Sequence, residues 1–174
     1  MEGKILVAYA TKYGSTREVA EAVAAALTEK GLPVDLQPAR SVRSLDRYNA
    51  VVLGAPLYIG KMHGDARSFL SRHQQALILR PPAIFALGPT ENVEKDWQEI
   101  QAALEAEIAA YGWLKPAALK LFGGKLDPSK FRFPDSLLKI IPASPLRDKP
   151  ASDIRDWPAI RAWAESLERL FAPA

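Results

Sequence analysis

The sequence of 174 residues contains no cysteine, which excludes disulfides, thiolate-bound iron–sulfur clusters, cysteine zinc sites and thiol catalysis together. Histidine is scarce as well. His63 and His73 are the only two, and neither pairs with a serine nucleophile or with a second ligand at metal spacing, so ordinary surface or helix-cap roles are expected of them. No metal site is expected, and any redox chemistry falls to an organic cofactor. No apolar run is long enough to span a bilayer, and the N-terminus has no secretory-signal pattern. A composition of 48% hydrophobic and 25% charged residues is ordinary for a soluble protein, and the expected location is cytoplasmic. This length suits one domain with a sizeable core.

Strong net charge is also missing: the chain carries only +3, but the charge is unevenly placed. Between Lys120 and Pro150 seven Lys/Arg stand against three Asp, giving +4 and leaving −1 for all the rest. Basicity confined to one segment points to a local partner rather than to general solubility.

Apolar strand-like runs alternate with longer helical patterns, without repeats. Strands are expected at Ile5–Tyr9, Pro33–Gln37, Ala50–Gly54, Pro82–Leu87 and Ala117–Phe122. Pro33 places the second near a sheet edge. Helices are expected at Arg17–Lys30, His63 to about Leu77, Val93–Tyr111 and Ile154–Leu170. Asp65, Arg67 and Arg72 look like a solvated helix face, and Trp97 lies on an apolar stripe that suits core packing. Five buried strands alternating with helices define an α/β fold, a doubly wound parallel sheet covered on both faces. Ligands of such sheets bind beyond the carboxyl ends of the strands, at the topological switch point. Three loops lie there: Thr11–Thr16, Ala55–Met62 and Gly88–Asn92.

The first loop reads Thr11-Lys12-Tyr13-Gly14-Ser15-Thr16 and runs directly into an Ala-rich helix. Hydroxyls, a glycine and a helix N-terminus together make a seat for a phosphate. A capping box with Ser15 as N-cap and Glu18 at N3 would account for the serine alone, but does not require Thr11, Gly14 and Thr16. Neither a Walker P-loop nor a Gly-x-Gly-x-x-Gly dinucleotide fingerprint is present. The loop resembles the FMN-phosphate loop of flavodoxins, a Thr-x-Tyr/Thr-Gly-Ser/Asn-Thr/Ser pattern closing the first strand. That resemblance implies a flavodoxin-like sheet of order 2-1-3-4-5, FMN as cofactor, and cofactor contacts from Thr11, Lys12, Tyr13, Gly14, Ser15 and Thr16.

In flavodoxin-like proteins the second loop borders the isoalloxazine ring, which implies roles for Pro56, Leu57, Tyr58, Ile59 and Gly60. Tyr58 either stacks on the ring or packs over the sheet edge; Gly60 allows close approach of its backbone. The third loop, with Leu87, Gly88, Pro89 and Thr90 as cofactor neighbours, lacks the aromatic and acidic residues usual in electron-carrier flavodoxins. A narrower likeness is carried by Gly54-Ala55-Pro56-Leu57-Tyr58-Ile59-Gly60-Lys61-Met62-His63, Phe69-Leu70-Ser71-Arg72-His73, Leu121-Phe122-Gly123-Gly124-Lys125-Leu126 and Asp153-Ile154-Arg155-Asp156-Trp157. These runs resemble the menaquinone-dependent protoporphyrinogen IX dehydrogenases, FMN proteins with an extra segment near the fifth strand. That likeness implies an oxidoreductase of heme biosynthesis that passes electrons from a reduced tetrapyrrole through FMN to a quinone, with no side chain required as acid or base.

The extra segment, residues 124–150 of an otherwise single flavodoxin-like domain, interleaves Lys130, Arg132, Lys139 and Arg147 with Phe131, Phe133, Leu137, Leu138, Ile140 and Ile141. Such a mixture suits an anionic membrane surface at the inner face of the cell membrane, the two propionates of a porphyrin, or a hydrophobic quinone. It also suits an ordered loop packing Leu137, Leu138 and Ile141 onto the domain. Nucleic acid is not expected as a partner, since no matching motif accompanies the patch. Two other functions stay open: an electron-carrier flavodoxin without its own substrate, against which the missing acidic docking surface counts, and a flavodoxin-like domain that has lost FMN.

Overall fold

The alternation in the sequence is realised as a twisted parallel sheet whose strands are buried on both faces. The computed structural model describes residues 3–171. Strand β1 (Lys4–Tyr9) is followed by helix α1 (Ser15–Glu29), and β2 (Val34–Pro38) returns beside β1. Strand β3 (Tyr48–Tyr58) lies on the other side of β1 and turns back as the two-residue β4 (Lys61–Met62). Helices α2 (Gly64–Arg72) and α3 (Gln74–Leu79) lead to β5 (Ala83–Leu87), and α4 (Glu94–Ala109) leads to β6 (Ala118–Phe122). The five parallel strands run in the order β2-β1-β3-β5-β6, which is 2-1-3-4-5 when only they are counted, with the second strand at an edge. A short ribbon of β7 (Lys125–Leu126) and β8 (Ser152–Asp153) precedes α5 (Trp157–Ser166) and α6 (Glu168–Phe171).

Period-two alternation divides each central strand between two cores. Ile5, Val7, Val52, Phe85 and Phe122 face Val19, Val23 and Leu27 of α1 and Ile160 and Ala164 of α5. Leu6, Ala8, Val51, Leu53 and Ile84 face Ala66, Phe69 and Leu70 of α2 and Leu104 and Ile108 of α4. Trp97 packs against this second core, as its stripe implied. Helices thus cover both faces of the sheet, and the loops at the carboxyl ends of β1, β3 and β5 lie beyond that cover.

Several local expectations are corrected. The helix expected from His63 to Leu77 is broken at His73, which is buried, stacks on Phe69 at 4.7 Å between ring centroids and reaches the Val42 carbonyl at 3.3 Å. His63 does cap a helix, its Nδ1 accepting from the Asp65 N–H at 3.1 Å. The helix-face arginines are engaged rather than merely solvated: Arg72 donates to the carbonyls of Ala39 and Val42, and Arg67 pairs with Glu107. The third strand runs four residues past Gly54, and the β3–β4 hairpin was not foreseen. The last helix begins at Trp157, where Asp156 caps the Ala159 N–H and Pro158 enters the first turn. Among the described residues no helix is long and apolar enough to cross a membrane.

Candidate functional site

The phosphate-type loop closes β1 and opens α1 as its hydroxyl pattern requires, with one correction. The helix N-cap is Gly14, and no side chain caps it; Ser15 is the first helical residue, so the capping box does not form. Gly14 has φ +94°, a left-handed conformation that explains the glycine. Its N–H donates to Thr11 Oγ1 at 2.9 Å, and its carbonyl accepts from the Glu18 N–H at 3.1 Å. The N–H groups of Ser15, Thr16 and Arg17 open the helix, where no intrahelical acceptor exists for them. Glu18, freed from capping, instead receives the Arg155 guanidinium at 2.5 Å.

Thr16 carries the most specific signal. It is fully buried, yet its hydroxyl oxygen has no hydrogen-bond partner. A buried unpartnered hydroxyl costs about 1–3 kcal/mol, and it persists where a ligand completes it. This one sits on the first turn of α1, beside Thr11, Gly14 and Ser15. That set of hydroxyls and N–H groups fits a phosphate dianion.

Behind the loop, the buried Arg155 guanidinium donates to the Ser15 carbonyl at 3.2 Å, to Glu18, and to Asp153 at 2.7 Å, and stacks over the Trp157 ring at 4.7 Å. Asp153 foremost, then Glu18, holds its pKa above the ordinary arginine value despite burial. Arg155 therefore ties the first turn of α1 to the β7–β8 ribbon.

The second loop is the β3–β4 hairpin. Leu57 pairs with Met62 and Tyr58 with Lys61, leaving Ile59 and Gly60 as a two-residue turn with φ +50° and +71°. Positive φ at both central positions is the type I′ pattern. Gly60 adopts it freely. Ile59, β-branched and wholly exposed, is strained there, a condition that clusters at functional loops. The hairpin is held from behind by Glu107 on α4, whose buried carboxylate accepts from the Met62 N–H at 3.4 Å and pairs with Lys61 at 3.4 Å and Arg67 at 3.7 Å. Pro56 is buried, Leu57 half-buried and Tyr58 43% exposed at the mouth. Burial raises the Tyr58 hydroxyl pKa, with Lys12 opposing and Tyr13 and Asp135 adding to it.

The third loop begins beside them. The Leu87 side chain is buried in the sheet core and Pro89 is buried too, so neither side chain is free for a cofactor. A Cβ on Gly88 would come within 2.7 Å of Ile100 and 2.8 Å of Leu121, so this glycine is fixed by close packing. Thr90 is half-buried. The Gly124 N–H donates to the Pro89 carbonyl at 2.7 Å and stitches the loop to the start of the extra segment.

Between β7 and β8, residues 127–151, which take in most of the extra segment, lie across this edge as a strap. Its Asp135 carboxylate receives the Tyr13 hydroxyl and the Lys12 ammonium, and its Phe131 packs on the Tyr13 ring at 5.4 Å. At its far end Lys149 pairs with Glu91 of the third loop at 3.1 Å. Lys12 and Tyr13, expected among the cofactor contacts, are thus engaged with the strap. The Asp135 carboxyl is held below the usual carboxylate range by Lys12 and Tyr13, and burial followed by Asp135 pushes Tyr13 up to about 12. Asp135 was missed in the sequence, although it is the one carboxylate between Lys130 and Arg147. Glu107 gave no local signal, and nothing in the stretches that contain Glu91, Lys149 and Arg155 marked their partners. Among the described residues no cluster of His, Asp or Glu is arranged to hold a metal.

Sheet order, phosphate-type loop and hairpin define a flavodoxin-type protein. Residues 6–139 match the flavodoxin-domain family, and the chain belongs to it. FMN is accordingly the cofactor of this edge, and the Thr11–Thr16 cradle fits its phosphate. Among curated relatives, the chain is 25% identical to protoporphyrinogen IX dehydrogenase [quinone] of Escherichia coli K12 over 142 residues, covering 79% of this chain and 78% of that one. Among solved structures it resembles a short-chain flavodoxin associated with a bacterial microcompartment (TM-score 0.57, 16% identity, 99% and 100% coverage). It also resembles oxidised flavodoxin 2 of Bacillus cereus (TM-score 0.55, 19% identity, 98% of each chain). Rubredoxin oxygen:oxidoreductase of Desulfovibrio gigas shares the fold too (TM-score 0.56, 15% identity), with 97% of this chain matched but only 36% of that one. These likenesses to solved structures concern the fold.

Proposed function

We propose that this protein is an FMN-dependent oxidoreductase of the protoporphyrinogen dehydrogenase kind, taking electrons from a reduced, amphipathic anionic substrate and passing them to a quinone. The observation that carries the reading is the strap: a cationic and apolar segment lies across the carboxyl edge from Lys12 to Glu91, where a protein that only shuttles electrons needs an open flavin edge. The 25% identity to a quinone-reducing protoporphyrinogen dehydrogenase supports it.

Bound FMN supplies the redox chemistry of the reaction. Thr11, Gly14, Ser15 and Thr16 would hold its phosphate with hydroxyls and helix N–H groups, and the α1 dipole would favour the dianion. Tyr58, Ile59 and Gly60 of the hairpin and the backbone of Gly88 to Thr90 would hold the ring. Pro56 and Leu57 shape the wall behind. No side chain serves as acid or base; the residues bind, orient and exclude water.

The strap gives the substrate its character. Its ion pairs among the described residues are Lys12–Asp135, Arg147–Asp148 and Lys149–Glu91, which leaves Lys130, Arg132 and Lys139 for an external anion. Phe133 and Ile140, 80% and 70% exposed, directly follow Arg132 and Lys139 in the sequence. This face suits a tetrapyrrole with carboxylate arms, and also peripheral contact with an anionic bilayer from which a quinone is drawn.

The test is an anaerobic one. Protoporphyrinogen should bleach the flavin absorbance of the holoprotein, and a menaquinone analogue should restore it, both faster than with free FMN. If the flavin is bound but neither step exceeds the free-flavin rate, the protein is a carrier rather than this enzyme.

A further inference from the structure

We propose that Asp135 is a positioning residue for the cofactor: through Lys12 and Tyr13 it links the strap to the phosphate loop, so that FMN binding and docking of residues 131–139 reinforce each other. The proposal rests on the FMN reading of the Thr11–Thr16 loop and adds a coupling between that loop and a segment more than a hundred residues later.

The geometry is specific. Asp135 opens a single 3-10 turn, Asp135–Lys139, within a segment otherwise rich in cations. Its carboxylate takes the side chains of two consecutive loop residues, Tyr13 by its hydroxyl and Lys12 by its ammonium, while Phe131 lies against the Tyr13 ring and the Lys12 ammonium sits 5.6 Å from the centroid of the same ring. Those two residues are flanked by the ones that fit the phosphate: Thr11, whose hydroxyl holds the Gly14 N–H, and Gly14 to Thr16. A six-residue loop fixed at its second and third side chains has fewer conformations to lose when an anion arrives, and preorganisation of that kind appears as affinity. The same three contacts, Asp135 to Lys12, Asp135 to Tyr13 and Phe131 to Tyr13, are the ties that hold the middle of the strap to the loop. An anion that orders the loop must then hold the strap more firmly, because the coupling between two binding events is reciprocal.

An opposite sign has a physical basis too. A carboxylate near a dianion repels it, and it also occupies the one ammonium of the loop. The Thr11–Thr16 hydroxyls and the open N–H groups of α1 satisfy the phosphate without Lys12, so Lys12 stays with Asp135 and the positioning effect sets the sign.

Lys130, Arg132 and Lys139 place three trypsin sites in the strap, each followed by an apolar residue other than proline. The experiment measures tryptic cleavage at these bonds by mass spectrometry, with and without saturating FMN, and FMN binding by quenching of flavin fluorescence. In the native protein FMN should slow cleavage at the three bonds by about fivefold, the low end of ordinary coupling. Asp135→Asn should weaken FMN binding by about the same factor and abolish the protection, as reciprocity demands. In a Lys12→Met, Tyr13→Phe background the Asp135→Asn change should have no further effect on either readout.

Stoichiometric quenching with unchanged cleavage overturns the proposal and leaves FMN binding intact. Equal or tighter FMN binding by Asp135→Asn overturns it as well, by showing that repulsion dominates. Absence of quenching in the native protein overturns both this coupling and the cofactor reading. The protection measurement needs no variant, so a folding failure in Asp135→Asn cannot hide the answer.

Discussion

Phe85 and Phe133 mark two regions built on different principles. Phe85, in the middle of β5, is completely buried, with Phe122 at 6.1 Å and Trp163 at 5.8 Å between ring centroids. Phe133, in the strap, is 80% exposed. The sheet region is held by apolar packing on both faces. The strap is held by a few ties, Asp135 and Phe131 to the first loop and Lys149 to the third, and leaves Phe133, Leu137, Ile140 and Ile141 exposed. The difference is one of construction: the sheet is packed from both faces, and the segment over its edge is held by a few contacts. Regions with few buried contacts open at lower free energy, and binding segments are drawn from them.

The largest expected effect tests the rigid half. Phe85→Ala removes a fully buried ring from a close-packed layer, and should lower unfolding free energy by about 3–5 kcal/mol, the usual cost of such a cavity. For a chain of this size that is roughly 10 °C or more in Tm, readable by thermal denaturation followed by circular dichroism. A loss below about 1 kcal/mol would show that the β5 layer collapses around the deletion, and the contrast with the strap would weaken.

The rigid half is also what the sequence makes legible. Buried parallel strands carry their signal in short apolar runs, so five strands and the hydroxyl-rich loop after the first follow from local pattern, while the order 2-1-3-4-5 comes from the resemblance of that loop to flavodoxins. The strap and the polar supports follow from neither. Asp135 reaches Tyr13 across 122 residues, Glu107 reaches Met62 across 45 and Arg155 reaches Glu18 across 137. Each is a lone charged residue whose partner is chosen by tertiary structure, and no periodicity marks it. The capping box failed for a related reason. Gly14 takes the cap position through its left-handed backbone, and the serine that looked like a cap is displaced by one residue into the helix. The hairpin tip was hidden because Ile59 is a poor residue for positive φ, so propensity argued against a turn there.

A smaller effect, and a sharper one, is expected at the boundary between the two regions. Thr16→Val replaces a buried, unpartnered hydroxyl by a methyl of the same shape. In the cofactor-free protein the change should be neutral or stabilising, because it removes a polar atom that burial penalises. In the holoprotein it deletes a hydrogen bond to a charged phosphate, which contributes about 1.5–3 kcal/mol, so FMN binding should weaken by roughly 10- to 100-fold. Thermal denaturation of the apoprotein and fluorescence titration with FMN read the two quantities separately. Opposite signs identify a ligand-completed hydroxyl. Unchanged FMN affinity would remove Thr16 from the cradle and leave the phosphate to Thr11, Ser15 and the helix N–H groups.

The smallest stability effect belongs to Phe133, and it is the other half of the opening contrast. Phe133→Ala removes a ring that is already mostly in water, so the unfolding free energy should change by no more than about 0.5 kcal/mol. Its contribution lies in what the strap meets. With Lys130, Arg132 and Lys139 outside any ion pair of the described residues, a neighbouring exposed ring gains from entering the interface of an anionic bilayer, while each nearby cation adds about 1 kcal/mol of attraction. Co-sedimentation with vesicles containing phosphatidylglycerol should therefore fall several-fold in Phe133→Ala and fall for the native protein in high salt, because the cationic share is screened within about 10 Å at 0.1 M ionic strength. Equal sedimentation of native and variant protein, at unchanged Tm, would assign the exposed ring to the substrate rather than to the membrane. Anaerobic substrate titration of the same variant then separates these two uses of the strap, since a ring that packs on a tetrapyrrole raises KM when it is removed and a ring that only anchors to lipid leaves KM in solution where it was.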